Sequence, residues 1–488
     1  VPDLPYVPYV AVHETHTGVV VLVGDRAFKA KKPVLTDFLD FRTPERRERA
    51  CRREVELNRR LSPDSYLGVA HLSDPGGGPA EPIVVMRRYR DDDRLASIVG
   101  RDADGSVRAL LDTIAAVLAR FHERAERGPA IDAQGEAGAI EKRWNDNLAE
   151  LDRYAGTLPS ETLSRIRRLV TEFIAGRGPL FRRRIEDGLI VDGHGDLLAD
   201  DIFCGQDEPA LLDCLEFDDT LRYVDCADDA AFLAMDLEFL GRKDLGEHFL
   251  GRYAAHSART APPALAHFYV AYRAGVRAKT DCVRLSQGKP QAADDAARHL
   301  AIADEHLRDG AVRLALVGGN PGTGKSTVAR ALAERTGAQV ISTDDVRREL
   351  RDSGAIAGDA GVLDQGLYSP DNVAAVYETA LRRARALLGD GRSVILDGTW
   401  RDPATRARAR DLASETHSAT VELMCASTAD TAAGRITTRR PGNSEVTPEI
   451  AAAMAAERAG WDTAHRIDTS GAVEDSARAA LDAWRRAI

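Results

Sequence analysis

From residue 311 onward, short apolar runs alternate with helical stretches in a regular order. Residues 312–317, 339–342, 393–397, 419–424 and 465–468 read as strands, and 325–336, 371–388, 403–415 and 474–487 read as helices. Strand and helix in turn predict a parallel sheet wrapped by helices. Before residue 310 the pattern differs. Tyr9 to His13, Gly18 to Val23 and Ala27 to Lys31 predict three strands, a charged helix follows at Glu45 to Arg60, and Ile83 to Arg87 is a fourth strand. Helical spacing then dominates at Val107 to Ala125 and Glu161 to Ala175, and a strand-loop-strand unit from Leu189 to Leu212 interrupts further helices. The expectation is a small mixed lobe, a helical lobe and then a separate α/β domain. Residues 291–309 form a polar-faced helix that Gly310 ends, which predicts domains at 1–308 and 311–488. No internal repeat or low-complexity tract is visible beyond an acidic, glycine-containing loop at Asp74 to Glu81.

A chain of 488 residues exceeds what one hydrophobic core supports, which agrees with that division. No apolar run approaches the roughly 20 residues of a membrane-spanning helix, and Val1-Pro2-Asp3-Leu4-Pro5 lacks the pattern of a secretory leader, so a soluble, cytoplasmic protein without membrane partners is expected. Six cysteines (Cys51, Cys204, Cys214, Cys226, Cys282, Cys425) stand far apart with no C-x-x-C pair, which predicts buried thiols rather than a zinc site or disulfide framework. The net charge of −11 sits almost entirely in the first 310 residues. An acidic surface repels phosphate backbones and disfavours non-specific nucleic-acid binding by that part. The remainder is close to neutral and holds a single lysine, Lys325.

That lysine belongs to Gly319-Asn320-Pro321-Gly322-Thr323-Gly324-Lys325-Ser326, which satisfies G-x-x-x-x-G-K-[ST] between a strand and a helix that continues through Thr327. Glycines there let backbone N–H groups turn inward around the phosphates of ATP, Lys325 adds a mobile cation, and the Ser326 hydroxyl can ligate Mg2+. One strand later, Asp344 and Arg347 lie three apart as a helix begins. Asp344 is placed to take a proton from an attacking hydroxyl while Arg347 holds the acceptor; the competing reading is a helix cap with a surface ion pair. Asp397, ending a strand before Gly398, is placed to hold Mg2+ through water, or else only forms a turn. Arg435, Arg439 and Arg440 precede the loop Pro441-Gly442-Asn443-Ser444 and read either as a lid over ATP or as a solvated basic face. Together these features resemble the P-loop small-kinase group, which includes polynucleotide kinases, gluconate kinase and zeta-toxin-like kinases. In the polynucleotide-kinase branch D-x-x-R supplies the general base and the acceptor-phosphate arginine. The resemblance implies those roles for Asp344 and Arg347 and names no acceptor.

A second constellation is Asp192-Gly193-His194-Gly195-Asp196-Leu197, then Asp201, then Asp213 at the end of a short strand. Phosphoryl transfer needs such a set, one aspartate for the acceptor hydroxyl and oxygen ligands for Mg2+. Lys29 and Lys31 point the same way on a strand, and either could hold nucleotide phosphates if paired with a helix carboxylate such as Glu54; a merely basic strand end is the alternative. H-G-D with an aspartate beyond it, and the order of lobes, resemble the aminoglycoside phosphotransferase and choline kinase superfamily, a relative of protein kinases, over about residues 1 to 300. The resemblance implies Asp196 as base and Asp213 and Asp201 as magnesium ligands. Asp201 stands where the family pattern H-G-D-x-x-x-x-N has asparagine, and Thr15-His16-Thr17-Gly18 is the only substitute for a Gly-rich loop, so a working site and a degenerate one both remain open. His122 resembles a recurrent family histidine and is expected in a core or interdomain role. With Phe38-Leu39-Asp40-Phe41 and Cys214 to Asp219, the chain looks like two-domain bacterial proteins that join a phosphotransferase to an AAA-type ATPase.

The sequence therefore predicts an α/β protein, a kinase-like domain followed by a P-loop domain, acting as an ATP-dependent phosphotransferase on a hydroxyl of a small molecule, of amino sugar or aminoglycoside type. Two alternatives stand beside it: a nucleic-acid 5′-hydroxyl kinase, and a toxin-like P-loop kinase gated by a non-catalytic first domain. The sequence is silent on oligomeric state.

Overall fold

A five-stranded antiparallel sheet opens the chain, with inward and outward side chains alternating along its strand Glu81–Arg87. The computed structural model describes residues 9–14, 17–35, 40–101, 105–205, 208–257, 260–359, 364–438 and 460–488. Strands β1 (Val10–Glu14), β2 (Gly18–Val23), β3 (Arg26–Lys31), β4 (Tyr66–Leu72) and β5 (Glu81–Arg87) pair antiparallel in the order β1-β2-β3-β5-β4. Helix Pro44–Asn58 starts where Thr43 accepts a hydrogen bond from the Arg46 amide and Pro44 takes the first turn. It buries Cys51 and Val55 against Ala27, Tyr66, Val84 and Met86. Strand β4 escaped the sequence pattern because Gly68 interrupts it and the register shifts between Tyr66 and Gly68. Helices follow, among them Val107–Arg124, Ala137–Asp152, Cys226–Phe239, Lys243–Ser257 and Pro263–Ser286. Two small ribbons, β6 (Ile190–Asp192) with β9 (Tyr223–Asp225) and β7 (Ile202–Phe203) with β8 (Ala210–Leu211), carry the acidic loops between them. This is the small mixed lobe and helical lobe that the sequence predicts.

The second sheet is wholly parallel, as expected. Strands β10 (Arg313–Gly318), β11 (Gln339–Ser342), β12 (Val394–Asp397), β13 (Ala419–Ala426) and β14 (His465–Asp468) lie in the order β11-β12-β10-β13-β14. Strands β10 and β12 are buried at every residue, as central strands covered on both faces must be. The chain runs from β10 to one side of the sheet and later crosses to β13 on the other. Such a reversal opens a crevice beyond the carboxyl ends of the strands.

Contacts divide the chain into two compact units, the first Val1–Ser164, Arg182–Ala261 and Ala266–His306, the second Arg165–Phe181, Pro262–Leu265 and Leu307–Ile488. Residues 165–181, which the sequence assigns to the first domain, thus pack with the second. Arg177 shows how: only 1% exposed, it donates through Nη1 to the carbonyls of Gly176 (3.1 Å) and Leu388, and through Nη2 to His417 O and Ser418 Oγ (both 3.2 Å). Leu388 lies in the last turn of helix Pro370–Gly389, whose last carbonyls need donors and favour a cation. Burial alone pushes the Arg177 guanidinium down to about 10. Arg177→Met should cost about 2–4 kcal/mol by leaving these carbonyls unpaired. Urea unfolding of the full chain checks this, and an unchanged midpoint would contradict it. Among the described residues no helix is long and apolar enough to cross a membrane, and all six cysteines are buried and free.

Candidate active sites

The phosphate loop leaves β10 at Gly318 and turns through Gly319 (φ 137°), Gly322 (78°) and Gly324 (81°), backbone conformations that favour glycine. A Cβ at Gly319 would stand 2.4 Å from Cys425 O, and one at Gly322 would stand 2.5 Å from Ala432 O, so space as well as torsion demands glycine. Asn320 O accepts from both the amide (3.3 Å) and hydroxyl (2.7 Å) of Thr323 and closes the loop around Pro321. Helix Lys325–Thr336 begins at Gly324 with no side-chain cap, which leaves its first N–H groups for an anion. Lys325 Nζ rests on the Asn320 carbonyl at 3.2 Å and makes no ion pair among the described residues.

Asp397 ends β12 beside Val317 of β10 and is 5% exposed. Burial raises its carboxyl pKa, while the Lys325 charge and a hydrogen bond from the Ser326 hydroxyl pull it down. Ser326 and Asp397 are thus neighbouring hard oxygens, a fit for Mg2+. Among the described residues no three or more His, Cys, Asp or Glu side chains converge on a metal position, so Mg2+ held here would take most of its ligands from phosphates and water, as it prefers.

Ser342, not Asp344, caps helix Thr343–Asp352, accepting from the amides of Asp344 (3.3 Å) and Asp345 (3.4 Å). The Asp344 carboxylate is therefore spared from capping. Its Oδ1 accepts from Arg347 Nη1 at 2.7 Å, so the ion pair of the competing reading does form. Arg347 lies 4.7 Å over the Tyr368 ring, and its Nε has no hydrogen-bond partner among the described residues. Lys325, Ser326, Asp397, Asp344, Arg347 and Arg435 all line one cleft of about 780 Å3. Sequence reading missed the aromatic part of its wall. Tyr377 donates or accepts at Thr399 Oγ1 (3.2 Å) and accepts from the Trp400 amide (3.2 Å), and Trp400 holds φ at 52°. No motif marks these residues, since they come from a helix interior and an irregular turn.

Arg435 sits on helix Ala429–Thr437 and donates through Nη2 to Thr469 O (2.7 Å), while Thr469 Oγ1 donates to Thr323 O in the phosphate loop (2.7 Å). Its buried Nη1 has no partner among the described residues and stands 3.5 Å from where a Gly324 Cβ would be. Arg439, Arg440 and the loop Pro441 to Ser444 lie outside the described residues.

The first unit assembles a second site. Lys29 Nζ bridges Glu54 Oε1 (2.9 Å) and Asp213 Oδ1 (2.7 Å), and Lys31 Nζ bridges Glu54 Oε2 (2.7 Å) and Glu216 Oε1 (2.6 Å). Glu54 is completely buried, and both lysines reach it from the same face of β3. Asp213 adopts φ of 63°, a left-handed torsion at the residue that closes the site, and its amide donates to the Tyr66 hydroxyl (3.2 Å). Lys29 holds the Asp213 carboxyl below the usual range against burial. Burial pushes Asp196 up to about 6; Arg277 and Arg273 oppose this and Asp213 adds to it. Burial, then Asp213 and Asp196, push Asp201 well above the carboxylate range.

The His194–Asp196 loop turns at Gly195 (φ 86°) and hangs from Asp229, which accepts from the amides of His194 (2.7 Å) and Gly195 (2.9 Å) and pairs with His122 Nε2 (2.9 Å). Burial would raise Asp229, but the His122 hydrogen bond and the His194 amide outweigh it and lower its pKa. His122 also meets Tyr253 Oη (2.7 Å) and is a satisfied core histidine. Thr15, His16, Phe38 and Leu39 lie outside the described residues. With Lys325→Ala silencing the phosphate loop, turnover that uses Asp196 as base should fall about tenfold per pH unit below about 6 and level off above it, because only the ionised carboxylate accepts a proton. ADP release measured across that range checks this, and a flat profile would contradict it.

Comparison with known proteins bears on the whole chain and on each part. The family model described as AAA domain matches residues 314–460. The protein of Mycobacterium tuberculosis called uncharacterized protein Rv2004c is 65% identical over 482 residues, which are 99% of this chain and 96% of that protein. Among solved structures, a choline/ethanolamine kinase family protein from Mesorhizobium loti aligns with 62% of this chain and 96% of its own, at 16% identity and a TM-score of 0.37. A gluconokinase from Sinorhizobium meliloti aligns with 36% of this chain and 92% of its own, at 18% identity and a TM-score of 0.27. At these scores neither neighbour informs the chemistry of this chain.

Proposed function

We propose, for a chain that belongs to the family of the Mycobacterium tuberculosis protein Rv2004c, an ATP-dependent kinase that moves the γ-phosphoryl group of ATP to a hydroxyl of a small-molecule acceptor. The observation that carries this reading is that the phosphate loop and the Asp344–Arg347 pair face one cleft. In this reading the loop amides from Gly319 to Thr327 and the Lys325 ammonium hold the triphosphate. Ser326 and Asp397 hold Mg2+, which supplies positive charge against the phosphate oxygens. Asp344 takes the proton of the acceptor hydroxyl as its oxygen bonds to the γ-phosphorus and the bond to the ADP oxygen breaks. Arg347 orients the acceptor, and Arg435, pinned beside Gly324, neutralises charge on the transferring group. The Asp196 site is a second phosphotransfer site, with Asp196 as base, Lys29 and Glu54 at the nucleotide and Asp201 and Asp213 for Mg2+.

For the acceptor, the acidity of the first 310 residues supports a small molecule with amino groups, of amino sugar or aminoglycoside type, met in the cytoplasm. An ATP-consumption screen against sugars, amino sugars, aminoglycosides, nucleosides and oligonucleotides tests the reading on the intact chain and on Lys325→Ala and Asp196→Ala. Loss with one substitution alone assigns the site. Turnover only with oligonucleotides would replace the small-molecule acceptor, and no acceptor-dependent turnover at all would remove the kinase reading.

A further inference from the structure

Helix Pro263–Ser286 carries two arginines one turn apart, near the Asp196 loop, and the fold uses them differently. Arg273 is fully engaged. Its Nε and Nη2 grip Asp228 (2.7 and 3.0 Å), its Nη1 donates to Gly195 O (3.0 Å), and it lies 4.8 Å over the Phe232 ring. Arg277 makes no hydrogen bond and no ion pair among the described residues, although its Nε is shut off from water. The residue as a whole is only partly buried. Its charge acts on both Asp196 and Asp236, yet neither carboxylate comes within ion-pair distance. Asp236 instead accepts from the Ala199 amide at 2.8 Å. Of the other charges acting near Asp196, Arg273 is already paired with Asp228, Asp201 and Asp213 are acidic, and Lys29 is committed to Glu54 and Asp213.

A guanidinium is a flat fork of donors that matches two oxygens of a carboxylate or phosphate. The Arg277 Nε is buried with its hydrogen bond unmade, which is costly. Near Asp196, where an acceptor hydroxyl must arrive, the chain provides the fork, and no carboxylate of the described residues pairs with it. We propose that Arg277 is a specificity-determining residue of the Asp196 site, and that the acceptor bound there carries an anionic group, carboxylate or phosphate, close to the hydroxyl that receives the phosphoryl group. The proposal rests on the phosphotransfer reading of that site and narrows its acceptor class to amino sugars that also bear an acid. Their ammonium suits the surrounding carboxylates, and their anion suits Arg277.

Calorimetric titration of the full chain, carrying Lys325→Ala to disable the phosphate loop, tests this with glucosamine, glucosamine 6-phosphate and muramic acid. At least one anionic sugar should bind about tenfold or more tighter than glucosamine, as one charge-assisted pair commands, and the preferred anion identifies phosphate or carboxylate. Arg277→Gln should erase the preference and Arg277→Lys should keep part of it, with thermal melts confirming that each variant folds. Equal binding of neutral and anionic sugars, or a preference that survives Arg277→Gln, overturns the proposal. ADP release separates this from the reading beneath it. An Arg277-dependent preference without Asp196-dependent ADP release keeps the anion site and removes the phosphotransfer role. Asp196-dependent turnover of neutral sugars that ignores Arg277→Gln keeps the role and removes the anion site.

Discussion

Asp344→Asn should lower kcat by on the order of 10^2–10^4 while changing the KM for acceptor little. The substitution keeps the shape of the side chain, and an amide oxygen still accepts from Arg347, so the 2.7 Å contact has a substitute. What it removes is the capacity to take a proton. Ser342 carries the helix cap, so the start of helix Thr343–Asp352 stays intact and the variant should melt with the parent. If Asp344 served only as a partly exposed ion pair, its replacement would cost less than about 1 kcal/mol of stability and no rate. Steady-state kinetics with whichever acceptor the screen finds decides between these, and an unchanged kcat would remove Asp344 as base.

Lys325→Ala should lower kcat/KM by about 10^2–10^3, the usual loss when one donor to developing phosphoryl charge disappears. No other lysine can replace it, because residues 311–488 contain none, and Arg435, the cation beside Gly324, is already held to Thr469 O. Removing the ammonium also strips Asp397 of its main opposing charge, so its buried carboxyl should ionise less readily and hold Mg2+ less well. Nucleotide binding and turnover should therefore both suffer. Full turnover in this variant with every acceptor would move the chemistry to the Asp196 site or out of the chain.

Much of this architecture was legible because local rules and packing agree. The strand before Gly319 is apolar from Leu314 to Val317, and the second part alternates strand with helix, so the parallel sheet followed directly. The phosphate loop, Asp344, Arg347 and Asp397 were readable because motif spacing places them at strand ends on one side of a sheet. Strand β4 was not readable, since Gly68 breaks its alternation where the register shifts. Tyr368, Tyr377 and Trp400 were not readable either, because their place in the cleft depends on how a helix and an irregular turn pack, which no spacing encodes. Asp229 stayed hidden for a related reason: its role is to accept two amides from a loop 34 and 35 residues away in sequence. No motif marks Arg277; only its lack of partners beside the fully bonded Arg273, a turn earlier, sets it apart.

The membership of residues 165–181 in the second unit has a practical consequence for anyone who cuts this chain. A protease nick at the turn near Gly310, or a gene trimmed to begin at residue 311, does not release that unit whole. Its Arg177 stays with the other fragment, and the carbonyls of Leu388 and His417 lose their donor. On the ribosome the same arrangement makes this segment wait for its partners. At about 5–20 residues per second, helix Pro370–Gly389 emerges on the order of ten seconds or more after the arginine that closes it.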